Sequence, residues 1–261
     1  MLRNIRIPAN VFWQIVRRDL TIHFKNYKAT LSNTIILFTC NILTFGYLFP
    51  TSDSGYGAFY FLGSLVTFGF FSGVMNAYEL IGDIEGDRSI NYLLTMPLPS
   101  WLIYVAIGLS WSLRTIVNIA PMFILGKLLL WDQLDLSAIH YGPFIFQFIT
   151  ASLFYGFFGL WTATMFKRMS DAGNIWLRLV NPMFLFGAFL FSWKSVAATM
   201  PWVSIVLLFN PIVYANEGMR ATGLDPNNYI PFWICNLVLW GCTLLFGWWG
   251  IRRLRTWLDS I

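Results

Sequence analysis

Apolar residues gather in blocks near membrane-spanning length at about 34–49, 58–78, 101–130, 141–166, 174–193 and 231–251. A helix needs roughly 20 mostly apolar residues to cross a ~30 Å hydrocarbon core, so the pattern predicts six transmembrane helices. A seventh stretch, 195–216, carries no charge. Pro201 and the Asn210-Pro211 pair divide it, because proline removes a helix donor and clashes with the preceding turn. Its longest unbroken apolar run, Val203 to Phe209, covers only about a third of a span. The segment 195–225 is therefore expected to enter the membrane from the outer side and turn back. That is allowed where the broken backbone is buried in protein.

Two further elements follow from polar spacing. Over 9–29, Phe12, Val16, Leu20 and Phe24 recur every four positions, flanked by Trp13 and Tyr27. Gln14, Arg17, Arg18, Thr21, Lys25 and Lys28 take the other side. This predicts an amphipathic helix with a basic face, suited to the cytosolic headgroup layer. Between the second and third spans, the loop over 79–99 holds Glu79, Asp83, Glu85 and Asp87 against a single Arg88. Ser89 to Leu94 supplies about two helical turns before Pro97 and Pro99 stop them.

Composition agrees with a single membrane domain filling 1–261. The chain is 57% hydrophobic and 11% charged, against about 25% charged in soluble proteins. Basic residues favour cytosolic span ends, and this orients the chain. With six spans and both termini inside, thirteen of the 17 basic residues fall on the inner side, among them Lys167, Arg178 and the Arg252, Arg253, Arg255 cluster. A seventh span at 195–216 would move that cluster outside, so charge also favours the hairpin.

Few groups are placed for chemistry. Polar residues inside the spans are few, and Asn41, Asn76, Arg114, Asn118 and Gln147 are singled out. Arg114 lies about 20 Å along its helix from Trp101, where a charge must face protein or a wet cavity. Two readings stay open for it: pairing with a backbone carbonyl or a buried acid, or guiding an anionic substrate headgroup. Cys40, Cys235 and Cys242 and the distant His23 and His140 give no metal-site spacing. Gly126-Lys127 is followed by leucine and lacks the upstream glycine of a phosphate-binding loop. The chain is thus expected to be no enzyme, to have no catalytic residues, and to bind no metal or cofactor of its own.

These pieces, taken together, resemble the membrane (permease) subunit of type-2 ABC exporters. The loop IEGDRSINYLLTMPLPSW matches that family's coupling-helix pattern at Glu85, Gly86, Leu93, Leu94, Pro97 and Leu98, with Asp87 and Arg88 replacing the usual small residues. The segment FNPIVYANEGMRATGL matches its outer-hairpin signature at Asn210, Pro211, Tyr214, Glu217 and Arg220. The resemblance implies an all-α fold with an interfacial helix, six spans and an outer hairpin before the last span. It implies ATPase coupling through Glu85, Gly86, Asp87, Arg88, Leu93 and Leu94, and an exit shaped by the hairpin residues. Partners would be a second permease copy and two copies of a separate ABC ATPase subunit, which would use the ATP and magnesium. Family members export drugs, lipids, lipo-oligosaccharides or lipid-carried polysaccharides. A hydrophobic, drug-like or lipid-linked substrate moved out across a bacterial cytoplasmic membrane is the favoured expectation. Glu217 and Arg220, three apart on one helix, are spaced to pair; bracing the hairpin and gating the exit are both open roles.

Overall fold

The structure, a computed structural model, describes residues 2–48, 55–86, 89–165 and 168–258. Among these, all regular structure is helical. Asp87, Arg88 and Lys167, named above for coupling and for charge, lie outside the described residues.

Helix α1 (Leu2–Lys25) stops at Asn26, and α2 (Tyr27–Leu43) continues into a π turn ending at Leu48. The amphipathic helix thus begins seven residues before the expected position and ends four earlier. Its stripe also splits. Ile15 and Val16 are buried, with Val11, Phe12 and Leu20 packed around them, whereas Trp13 and Phe24 remain exposed. The apolar face is covered by protein because α1 packs against α5 (Ser100–Leu129).

Helices α3 (Tyr56–Glu85) and α5 (Ser100–Leu129) have 30 residues each. At 1.5 Å per residue they are about 45 Å long, roughly 15 Å more than the hydrocarbon core requires. The short α4 (Ser89–Leu94) joins them, at the limits expected from the sequence. Two prolines then end the turn, and Pro99, with extended ψ, starts α5. Helix α6 (Tyr141–Ala163) packs against both long helices. Close approach is possible where small residues meet: a Cβ on Gly159 would stand 2.5 Å from the Gly73 carbonyl, and one on Gly73 would stand 2.6 Å from that of Tyr155. Gly69 and Gly73, four apart on α3, therefore both pack within the chain.

Among the described residues, five helices are long and apolar enough to cross a membrane: Tyr27–Leu48, α3, α5, α6 and the residues Phe232–Thr256 of α12 (Phe232–Leu258). The expected span at 174–193 has another form. It is assembled from α7 (Ala172–Ile175), a π turn at Trp176–Val180 and α8 (Asn181–Leu185), followed by an irregular segment. A proline at 182 and the widened turn before it interrupt regular helix there.

Helices α9 (Trp193–Thr199), α10 (Pro201–Leu207) and α11 (Pro211–Gly223) follow. The break falls at the predicted Asn210-Pro211, and α11 returns to the level at which α6 begins, where the His140 amide donates to the Thr222 carbonyl at 3.0 Å. Two apolar clusters hold the whole together. One joins α3, α6, α11 and α12; the other gathers α1, α4 and the ends of α3, α5, α6 and α12 around Ile84, Leu93, Ile107 and Leu254.

Candidate functional site

Every residue of α11 is buried, charged ones included. The Asn210 side chain caps the helix by accepting from the Ile212 amide at 3.1 Å, and its Nδ2 donates to the Met183 carbonyl at 2.7 Å. Pro211 fits the first helical position, where no amide donor is needed. The Tyr214 hydroxyl donates to the Leu208 carbonyl at 3.0 Å, across the turn. Capping, proline and tyrosine therefore act together to close the hairpin.

The charged pair ties that hairpin to the surrounding helices. Glu217 accepts from the Trp193 amide at 3.0 Å and the Ile230 amide at 3.3 Å, holding the start of α9 to the approach to α12. Arg220 donates to the carbonyls of Phe59 (3.2 Å), Ala188 (2.6 Å), Phe189 (2.6 Å) and Phe191 (3.2 Å). Its guanidinium carbon stands 3.6 Å from the centroid of the Phe59 ring. The expected mutual pairing is the weakest of these contacts, at 3.8 Å. Backbone groups dominate because two complete carboxylate and guanidinium shells are needed to bury both charges. Ala188, with φ 57°, is held in the left-handed region, so the loop that Arg220 binds is itself strained.

Several residues of this assembly were not among the site residues expected from the sequence. Gln147 donates to the Tyr214 carbonyl at 3.2 Å and accepts from Asn236 at 2.7 Å. Asn216 donates to the Gly187 carbonyl at 2.7 Å and accepts from Thr67 at 3.3 Å. Gly63 and Gly218 make room: a Cβ would stand 2.5 Å from Arg220 Nη2 in the first case and 2.4 Å from Gln147 Nε2 in the second. The one available signal was the isolation of Gln147 and Asn236 in otherwise apolar runs.

At the opposite end, the loop expected to couple to an ATPase is held by Asp83, which the pattern did not match, together with the matched Glu85 and Leu93. The Asp83 carboxylate accepts from the Ser89 amide at 3.1 Å and the Ile90 amide at 3.0 Å, so α3 caps α4 from six residues before its first residue. Glu85 accepts from the Met169 amide at 3.1 Å and joins this loop to the α6–α7 loop. Gly86 is exposed and ends α3. Leu93 is 6% exposed and packs inside with Ile90, while Leu94 is half-buried. Of the matched residues, Leu93 thus anchors the helix instead of facing a partner. The outward face carries Ser89 and Tyr92, the latter 64% exposed.

Arg114 joins three helices. Its Nη2 lies 2.6 Å from Asp19 of α1, and its Nη1 lies 3.0 Å from Glu79 of α3. Of its two open readings, the acid-paired one describes the geometry. Further along, His23 Nε2 and the Asn118 amide oxygen are 2.9 Å apart. Glu79, Arg114, His23 and Asn118 border a cavity of about 630 Å³ between α1, α2, α3, α5 and Trp176, whereas Asp19 borders an adjoining pocket. The cavity walls alternate polar groups (Asn26, Thr30, Ser72, Asn76) with Phe68, Phe71 and Met75. Among the described residues, no three His, Cys, Asp or Glu side chains are grouped to hold a metal ion.

Comparison with known proteins agrees with this architecture. Residues 10–224 match the sequence model of the ABC-2 type transporter family. No curated protein gives a match. The matched region runs from the amphipathic helix through the hairpin and takes in both motifs. The chain belongs to the ABC-2 type transporter family and is a multi-pass transmembrane subunit of such a transporter, working with an ABC ATPase subunit.

Proposed function

We propose that this chain is the permease of an ATP-driven exporter that moves a hydrophobic, drug-like or lipid-linked substrate out across the cytoplasmic membrane of a bacterium. Two permease copies pair with two ATPase subunits, both termini face the cytosol, and hydrolysis of ATP with magnesium occurs in the partner subunits alone. The observation that carries this reading is the mounting of α4. Asp83 and the buried Ile90 and Leu93 fasten it beneath α3 and α5, leaving Tyr92 outward. A push on that face is delivered to the two longest helices of the chain. The α2 helix leaves Ile36 and Leu37 largely uncovered, an apolar face suited to lipid or a second copy.

The full chain is expected to co-purify with an ABC ATPase, and Tyr92→Asp to abolish that association while leaving thermal stability of the permease unchanged. Aromatic side chains of this kind commonly dominate interface energy. Substrate transport by the purified chain with no ATPase present would refute the proposal.

A further inference from the structure

Around α4 the helices fall into two groups, joined by polar contacts of unequal strength. Helix α1 packs against α5 and is tied to it by Asp19–Arg114 at 2.6 Å and His23–Asn118 at 2.9 Å. At the start of α2, the Tyr27 hydroxyl donates to the Val117 carbonyl at 3.1 Å. Helix α3, in turn, is tied to α4 by Asp83. Between the groups runs Glu79–Arg114 at 3.0 Å, with the Glu79 side chain 68% exposed. A pair so open to solvent contributes little and rehydrates readily.

The Asp19–Arg114–Glu79 bridge uses only part of its capacity. Arg114 gives Nη1 to Glu79 and Nη2 to Asp19 Oδ1. Arg114 Nε, Asp19 Oδ2 and Asn76 Nδ2 are buried and have no hydrogen-bond partner. All three residues line one cleft of about 210 Å³ between α1, α3, α4 and α5. Nε and Nη2 form the side-on edge of the guanidinium, so a small turn of Arg114 sets that edge against both Asp19 oxygens in a bidentate pair. The same turn draws Nη1 off Glu79. Asn76 lies three residues before Glu79 on α3, a spacing at which its amide can donate to the freed carboxylate. One second arrangement therefore gives all three groups a partner, and the tie between α1 and α5 survives it.

We propose that Arg114 is an ionic pivot of the transport cycle. When the ATPase moves α4, α3 follows through Asp83 and the Glu79 bond opens. Arg114 then closes side-on against Asp19, so that α1 travels with α5. The amphipathic helix is thus a moving part of the transporter, and Arg114 is a positioning residue that acts through Asp19. The proposal rests on the reading of α4 as the contact with the ATPase.

The test is a triangle of spin labels in the complete complex with its ATPase, with Cys40, Cys235 and Cys242 replaced by alanine. Labels go on Gln14 of α1, Gly82 of α3 and Trp101 of α5, all exposed. Pulsed electron paramagnetic resonance measures each pair with and without vanadate-trapped nucleotide. Trapping is expected to shift the Gly82–Trp101 and Gln14–Gly82 distances by about 2 Å or more, while Gln14–Trp101 holds. Arg114→Lys keeps the charge and lacks the fork. Its distances are expected to match wild type without nucleotide, and its Gln14–Trp101 distribution to broaden only in the trapped state. A purely structural tie changes in both states or in neither, and either result overturns the proposal. If Gly82–Trp101 shifts while α1 follows α3, the pivot fails alone and the α4 reading stands. If no distance responds to nucleotide, the α4 reading fails and the pivot with it.

Discussion

Arg220 and Arg114 are both arginines held among helices, and their surroundings differ in kind. Arg220 and Glu217 have side chains with no exposed surface, and most of their bonds go to backbone groups fixed in place by the fold. The Arg114 side chain is 9% exposed and is held mainly by two acids on other helices, Asp19 and the 68% exposed Glu79, with one longer bond to the Asp19 carbonyl at 3.5 Å. The first arrangement has no second position of comparable energy, because moving the guanidinium strands several buried carbonyls at once. The second can separate and rehydrate on its Glu79 side at modest cost. A transporter needs both. In the proposed exporter the hairpin has to keep a broken backbone sealed within the membrane, while the end proposed to meet the ATPase has to move.

This contrast is broken most directly at Arg220. Replacement by alanine is expected to cost at least about 3–5 kcal/mol, the range for stranding a buried charge; thermal unfolding in detergent and recovery of monodisperse protein measure it. Arg220→Lys keeps the charge but loses the planar fork, so a smaller loss is expected. Equal stability of wild type and Arg220→Ala would show the hairpin lock to be ornamental.

Next in size is Leu93→Ala on the coupling helix. Truncating a buried leucine is expected to destabilise the cluster around Ile84 and Leu254 by about 2–3 kcal/mol, read as a lowered unfolding midpoint. An effect confined to ATPase association, with no change in midpoint, would instead place Leu93 at the partner surface.

Smallest is Glu79→Gln, for which a stability change within about 0.5 kcal/mol is expected. A loss comparable to that of Arg220→Ala would mean that the two arginine sites are equally rigid, and the comparison would fail.

Much of the architecture was legible along the chain because membrane insertion imposes length and continuity on apolar runs. The hairpin at Asn210-Pro211 and the α4 turn at Ser89–Leu94 were both readable, since proline acts through local backbone geometry. The expected span at 174–193 was less faithful. Its hydropathy is adequate, but the π turn at Trp176–Val180 and the bend at Pro182 depend on packing against α3, where Phe71 meets both Trp176 and Phe184. The binding partners of the charged residues were the least legible. Arg114 is 95 positions from Asp19, and Arg220 is 161 from Phe59. The pairing expected from helical spacing, Glu217 with Arg220, is present only as the weakest contact of its cluster.

The sequence by itself determined that this chain lives in a bilayer, where its backbone must turn, and which two segments carry the family's motifs. Those follow from local chemistry: hydrophobic length, proline and charge at span ends. Only the tertiary structure decided which charges meet. It made Glu217 and Arg220 a lock, Asp83 the cap of α4, and Arg114 a bridge between Asp19 and Glu79 on two other helices. A buried charge is satisfied by whatever groups the packed helices bring within about 3 Å, and sequence separation places no limit on that.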